Sequence, residues 1–232
     1  MRRDGLVTRR PSRRIGASNF VPTDLNGLVL WLRADLGITT DIGGTVAAWD
    51  DQSGAGHDFA EGNTAIQPNL VASETDFPTP QPSVKFDIAS NQLVGPGLAS
   101  IAWYGVVAIS PGATFGNLNS PLTVTGAGGI YVWRGATGTG NWRTADSPVG
   151  NRFTDGVDTD VAMTAANQPH FYEMVPNAAH TGTATYLGTN SDATTRIWGD
   201  SIAEVFAATV APDAAALTAL RAYLKTRYGF AA

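Results

Sequence analysis

The chain of 232 residues contains no cysteine, which excludes disulfide staples and thiolate nucleophiles and leaves burial and strand pairing to stabilise the fold. Histidine is scarce. His57, His170 and His180 are too few and too scattered to form a zinc site. No run of 18 apolar residues occurs, so no membrane-spanning helix is expected, and the basic start lacks the apolar stretch of a secretory signal. A nucleophile elbow of the form G-x-S-x-G is also missing. Gly126-Ala127-Gly128-Gly129 precedes a strand pattern where a phosphate loop would precede a helix, so no nucleotide site is implied.

What is abundant points to β structure. Charged residues make up 15% of the chain, against 26 glycines and 13 prolines, a balance that favours short strands and tight turns. At this length one all-β domain can bury roughly 70% of its unfolded surface. Charge is unevenly placed. Residues 1–14 hold Arg2, Arg3, Arg9, Arg10, Arg13 and Arg14 against Asp4, a net of +5, while the rest of the chain carries a net of -10. Residues 1–20 lack apolar periodicity and read as a basic anchoring arm on an acidic body spanning 21–232. Arginine without lysine suits bidentate pairing with carboxylate or phosphate. Nucleic acid is not the expected partner, because no aromatics interleave the arginines.

Leu28 to Leu32 and Val46 to Trp49 are apolar runs of strand length, followed by turn chemistry at Asp50, Asp51, Gln52, Ser53 and Gly54. His57 is expected on the surface of that turn. Ile101 to Ile109 is the most apolar stretch and predicts a central strand, with Trp103 and Tyr104 on opposite faces. Val84 to Asp87, Phe171 to Val175, Thr183 to Leu187 and Ile202 to Phe206 supply further strands. Glu204, inside the last, is expected to face solvent. The close of the chain predicts an amphipathic helix over 212–228, with Pro212 in its first turn, a stripe of Leu217, Leu220, Leu224 and Tyr228, and Gly229 ending it.

Two clusters are candidate ligand sites. Tyr131, Trp133 and Trp142 flank a glycine-rich turn, and pairing Arg134 with Asn141 would set Trp133 beside Trp142. Such a pair either stacks on a sugar, with Arg134 and Arg143 bonding hydroxyls, or packs in a core or interface. Asp155, Asp158 and Asp160 place three carboxylates in six residues beside Gly156, which reads as a solvated acidic turn or a weak Ca²⁺ site. No cofactor is otherwise required.

The two ends of the chain carry a resemblance. Leu25 to Thr40, opening LNGLVLWLRADLGIT, with VAAWDDQSGAGHDF at Val46 to Phe59 and IWGDSIAEVFAATVAPDAAALTALRAYLKTRYGF at Ile197 to Phe230, resembles concanavalin A-like (laminin-G-like) jelly-roll domains. These recur in bacterial surface proteins and in virion proteins of tailed bacteriophages. The resemblance implies an all-β, two-sheet antiparallel jelly-roll sandwich with one C-terminal helix and an extended N-terminal arm. It also implies a location in the virion, as a capsid decoration or a tail or baseplate component. The arm would hold neighbouring virion proteins in an oligomeric assembly, and host surface glycans would be a further partner. Glucan hydrolases of this fold carry paired glutamates on one strand, as E-x-D-x-x-E or E-x-D-x-E. Here Glu61, Glu74, Glu173 and Glu204 fall on separate segments, and the expectation is a protein that is not an enzyme.

Overall fold

The computed structural model describes residues 20–87, 90–110, 120–125, 130–131, 150–158, 168–189 and 198–230. After a short 3-10 turn at Pro22–Asp24, the strands are β1 (Leu28–Arg33), β2 (Ile38–Thr40), β3 (Val46–Trp49), β4 (Phe59–Ala60) and β5 (Asn69–Glu74). Next come β6 (Gln81–Lys85), β7 (Leu93–Pro96), β8 (Trp103–Ile109), β9 (Leu122–Thr125) and β10 (Ile130–Tyr131). The series closes with β11 (Gly150–Thr154), β12 (Val157–Asp158), β13 (Pro169–Pro176), β14 (Ala184–Leu187), β15 (Ser201–Ala208) and the helix α1 (Ala214–Tyr228).

The strands form two antiparallel sheets. Sheet A runs β12-β11-β13-β8-β15-β6-β5, with β1 also paired to β15, and sheet B runs β10-β9-β14-β7-β4-β3-β2. The protein is therefore all-β, with two antiparallel sheets and one C-terminal helix. Leu30, Trp49, Phe59, Tyr104, Val106 and Trp198 belong to the core between the sheets. A second core, with Trp31, Trp103, Val107, Phe171, Phe206 and Leu224, fills the space between sheet A and α1. Sheet A is thus covered on both faces. Every residue of β8 and of β15 is buried, which is why the sequence around Ile101 to Ile109 reads as one apolar run instead of alternating. Trp103 and Tyr104 do point oppositely, and each fills a different core.

Gly105 keeps β8 compatible with that second core. A Cβ there would lie 2.8 Å from Trp103 and 2.9 Å from Phe171, so the two rings occupy the space a side chain would need. The helix starts later than its sequence suggests. Asp213, not Pro212, marks the boundary: its carboxylate accepts from Ala216 N at 2.8 Å as an N-cap, and the helix follows from Ala214. Gly229 terminates α1 in the left-handed conformation at φ 79°, donating to the Lys225 carbonyl. Leu220, Leu224 and Tyr228 are buried against the sheet, each contributing on the order of 1.5–3 kcal/mol.

Two further expectations are corrected. His57 is half-buried, with Nδ1 2.8 Å from the Val29 carbonyl, because the turn it sits in folds back onto β1. Glu204 is fully buried, because α1 covers the face of sheet A on which it stands. Among the described residues no helix is long and apolar enough to cross a membrane.

Candidate functional site

The chemistry-bearing groups of the described residues concentrate where α1 crosses sheet A. Glu204 lies on β15 opposite Arg33 of β1, two residues along from the Trp31 position. Trp31 Nε1 donates to its Oε1 at 2.7 Å, and Tyr223 OH donates to the same oxygen at 2.9 Å. Tyr228 OH donates to Oε2 at 2.8 Å, and Arg227 Nε stands 3.9 Å from that oxygen. The helix supplies three of these four groups because positions 223, 227 and 228 fall on adjoining edges of the face that carries Leu220 and Leu224.

Burial pushes the Glu204 carboxyl above its ordinary range, against the opposing pull of Trp31, Tyr228 and Arg227. Burial likewise drives the Tyr228 and Tyr223 hydroxyls well up, reinforced by the Glu204 carboxylate. Arg227 is held a second time, with Nη2 2.8 Å from Asp35, whose pKa is lowered because Arg227 and Arg33 outweigh the effect of its burial. Nothing in this arrangement leaves Glu204 open to a substrate. Its role is to tie helix, β1 and β15 together.

A second carboxylate shares the face. Glu173 of β13 and Glu204 of β15 flank β8 at Gly105 and Val107, and Glu173 pairs with Arg221 of α1. Burial raises its pKa, with Arg221 pulling the other way. Sequence spacing kept these glutamates apart, but topology brings them under one helix.

The turn after β3 is built as expected. Asp51 accepts from Trp31 N at 2.9 Å, from Ser53 N at 2.8 Å and from Ser53 Oγ at 2.7 Å, and its Oδ2 takes His57 N at 3.1 Å. In the turn between β11 and β12, the Asp155 carboxylate accepts from Phe171 N at 2.8 Å and meets His170 Nδ1 at 2.7 Å. Each oxygen of this proposed calcium ligand thus has one partner in the protein. The Asp158 side chain and Asp160 lie outside the described residues. Among the described residues no group of three or more His, Asp or Glu is placed to hold a metal.

Tyr131 is the last described residue of the edge strand β10, in register with Thr123, which pairs in turn with Tyr186. Trp133, Arg134, Trp142 and Arg143 lie outside the described residues, as do Arg2, Arg3, Arg9, Arg10, Arg13 and Arg14. Phe20 is the first described residue. It packs edge-on to Tyr223 with ring centroids 6.3 Å apart and belongs to the helix-side core.

No family model matches the chain. No curated protein matches it either. Among solved structures, the chain is similar to Trypanosoma rangeli sialidase in complex with the inhibitor DANA, at 14% identity and a TM-score of 0.47, covering 89% of this chain and 35% of that one. The same sialidase in complex with sialic acid gives 14% identity and a TM-score of 0.41, covering 86% of this chain and 33% of that one. The chain thus spans about a third of the length of these sialidases. The expectation of a protein that is not an enzyme is corrected here, since the solved structures it is similar to are enzymes. At this level of similarity no activity carries over to the chain.

Proposed function

We propose that this chain is an accessory structural component of a tailed-bacteriophage virion, with a concanavalin A-like jelly roll displayed on the capsid, tail or baseplate. In this reading residues 1–20 form the anchoring arm to neighbouring virion proteins, and 21–232 form the displayed domain. The observation that carries it is the placement of Phe20. That residue, the first one described, is fixed beside α1 on the outer side of sheet A. The resemblance at both ends of the chain, and a two-sheet sandwich closed by one helix, support the same reading.

Deleting residues 1–19 tests it. The truncated protein should keep its unfolding midpoint while falling away from purified particles. Particles that retain it at full occupancy would remove the reading.

Binding of host surface glycans is a second reading, favoured by the edge position of β10. Among the described strands, β10 ends the order of sheet B, and Tyr131 is its last residue. Saturable binding on a glycan array that is lost in Trp133→Ala or Trp142→Ala, with unchanged melting, would support it. Unchanged binding in both variants would remove it.

A further inference from the structure

Two grooves flank Phe20 along one side of α1. The first, of about 550 Å³, lies at the helix start and is lined by the aliphatic Val210, Ala215, Ala216 and Ala219 and by the carboxylates of Asp24 and Asp213. The second, of about 450 Å³, lies at the helix end and carries Thr79, Gln81, Thr226 and Arg227. The first is apolar and acidic; the second is polar and bears a cation.

The carboxylates of the first groove have capacity to spare. Asp213 spends Oδ1 on Ala216 N, and Asp24 spends Oδ2 on Val21 N, and neither forms an ion pair among the described residues. Val21 and Val210 beside them are exposed at 48% and 45%. An exposed aliphatic lining with two unpaired carboxylates matches a segment that alternates arginine with small or aliphatic residues. The arm contains such a segment at Arg9 to Ala17, reading RRPSRRIGA.

From Phe20 the backbone runs toward the first groove, because Asp24 and Asn26 line it. Nineteen extended residues reach ~60 Å, against a radius of gyration of ~17 Å for a body of this size. The arm is long enough to arrive at a neighbour.

We propose that the groove between the 3-10 turn and the start of α1 receives the arginine-rich arm of a second copy of this chain. Arg13 and Arg14 pair with Asp24 and Asp213, and Ile15 settles against the alanines. The proposal deepens the anchoring role given to the arm by naming its partner, and rests on that role.

The absence of native cysteine permits a clean test on the purified full-length protein. One population carries Ser12→Cys, another Ala215→Cys, and the two are mixed under mild oxidation. A disulfide-linked heterodimer is expected. Its yield should fall about fivefold in Asp24→Asn/Asp213→Asn, the order expected for losing two surface ion pairs, while asparagine still caps the helix. Failure to form the heterodimer, or a yield indifferent to the asparagine changes, overturns the proposal. So does cross-linking that occurs only within a single copy carrying both cysteines. Because no particle is present, the result is separable from the virion reading. Copies that cross-link but never appear in particles would remove that reading and leave arm exchange standing.

Discussion

Replacing Glu204 removes the acceptor on which two buried donors, Trp31 and Tyr228, and the half-buried Tyr223 converge. In Glu204→Ala the Trp31 indole and the Tyr223 and Tyr228 hydroxyls lose their common partner, and Arg227 loses one of its two carboxylates. Each orphaned buried donor costs about 1–3 kcal/mol, and the gain from no longer desolvating a carboxylate offsets part of the sum. The expected loss is about 3–5 kcal/mol, a large share of the ~5–15 kcal/mol typical of a domain. Glu204→Gln keeps the shape and one acceptor oxygen and should lose only about 1–2 kcal/mol. Urea unfolding followed by far-UV circular dichroism measures both. Tyr228→Phe combined with Glu204→Gln in a double-mutant cycle should show coupling, since the two groups share one bond. An alanine variant within ~1 kcal/mol of the parent would show that the network does not hold the helix, and the reasoning would fail.

Asp51→Ala removes four hydrogen bonds to Trp31, Ser53 and His57, and a loss of about 2–3 kcal/mol is expected in the same unfolding assay. Asp200, whose pKa burial pushes up to about 6 with Glu74 and Asp76 adding to it, binds its proton more tightly folded than unfolded. Its contribution to stability is therefore complete below the unfolded value near 3.8 and is lost as pH rises through about 6. The parent should lose about 1–2 kcal/mol across that window relative to Asp200→Asn, as read from paired melts at pH 4 and pH 7. Parallel pH profiles would contradict this. Gly105→Ala should lower stability by about 1–3 kcal/mol, since its Cβ would press on Trp103 and Phe171. A neutral result would mean the two rings move aside freely.

The elements that announced themselves in sequence are those whose pattern depends on one neighbour at a time. The apolar run at Ile101 to Ile109 could only be an interior strand, and the leucine spacing before Gly229 could only be an amphipathic helix. The turn at Asp51 was equally local, because its acceptors and donors lie within a few residues, apart from Trp31. Glu204 was misread for the opposite reason. A glutamate between Ala203 and Val205 looks the same whether its face meets water or a helix, and the covering helix arrives only after the strand has ended.

A signal for it did exist. SIAEVFAA is apolar on both alternations apart from Ser201 and Glu204, as a doubly covered strand must be. The helix also carries Tyr223, Arg227 and Tyr228 beside its leucines, which is an unusual donor set for a packing face. The Glu173–Arg221 and Asp155–His170 pairs gave no comparable hint, because only sheet topology brings their partners together. The later helix start has a smaller cause. Proline fits the first turn of a helix, but Asp213 here is the residue that bonds Ala216 N, and that bond sets the boundary.

The proposed virion role is most directly tested by expressing this chain in a host producing tailed-phage particles and quantifying it in the purified particles, with and without residues 1–19. The account predicts stoichiometric incorporation of the full chain and loss of the truncated chain to the soluble fraction, with the same unfolding midpoint for both. Equal incorporation of the two forms would contradict it.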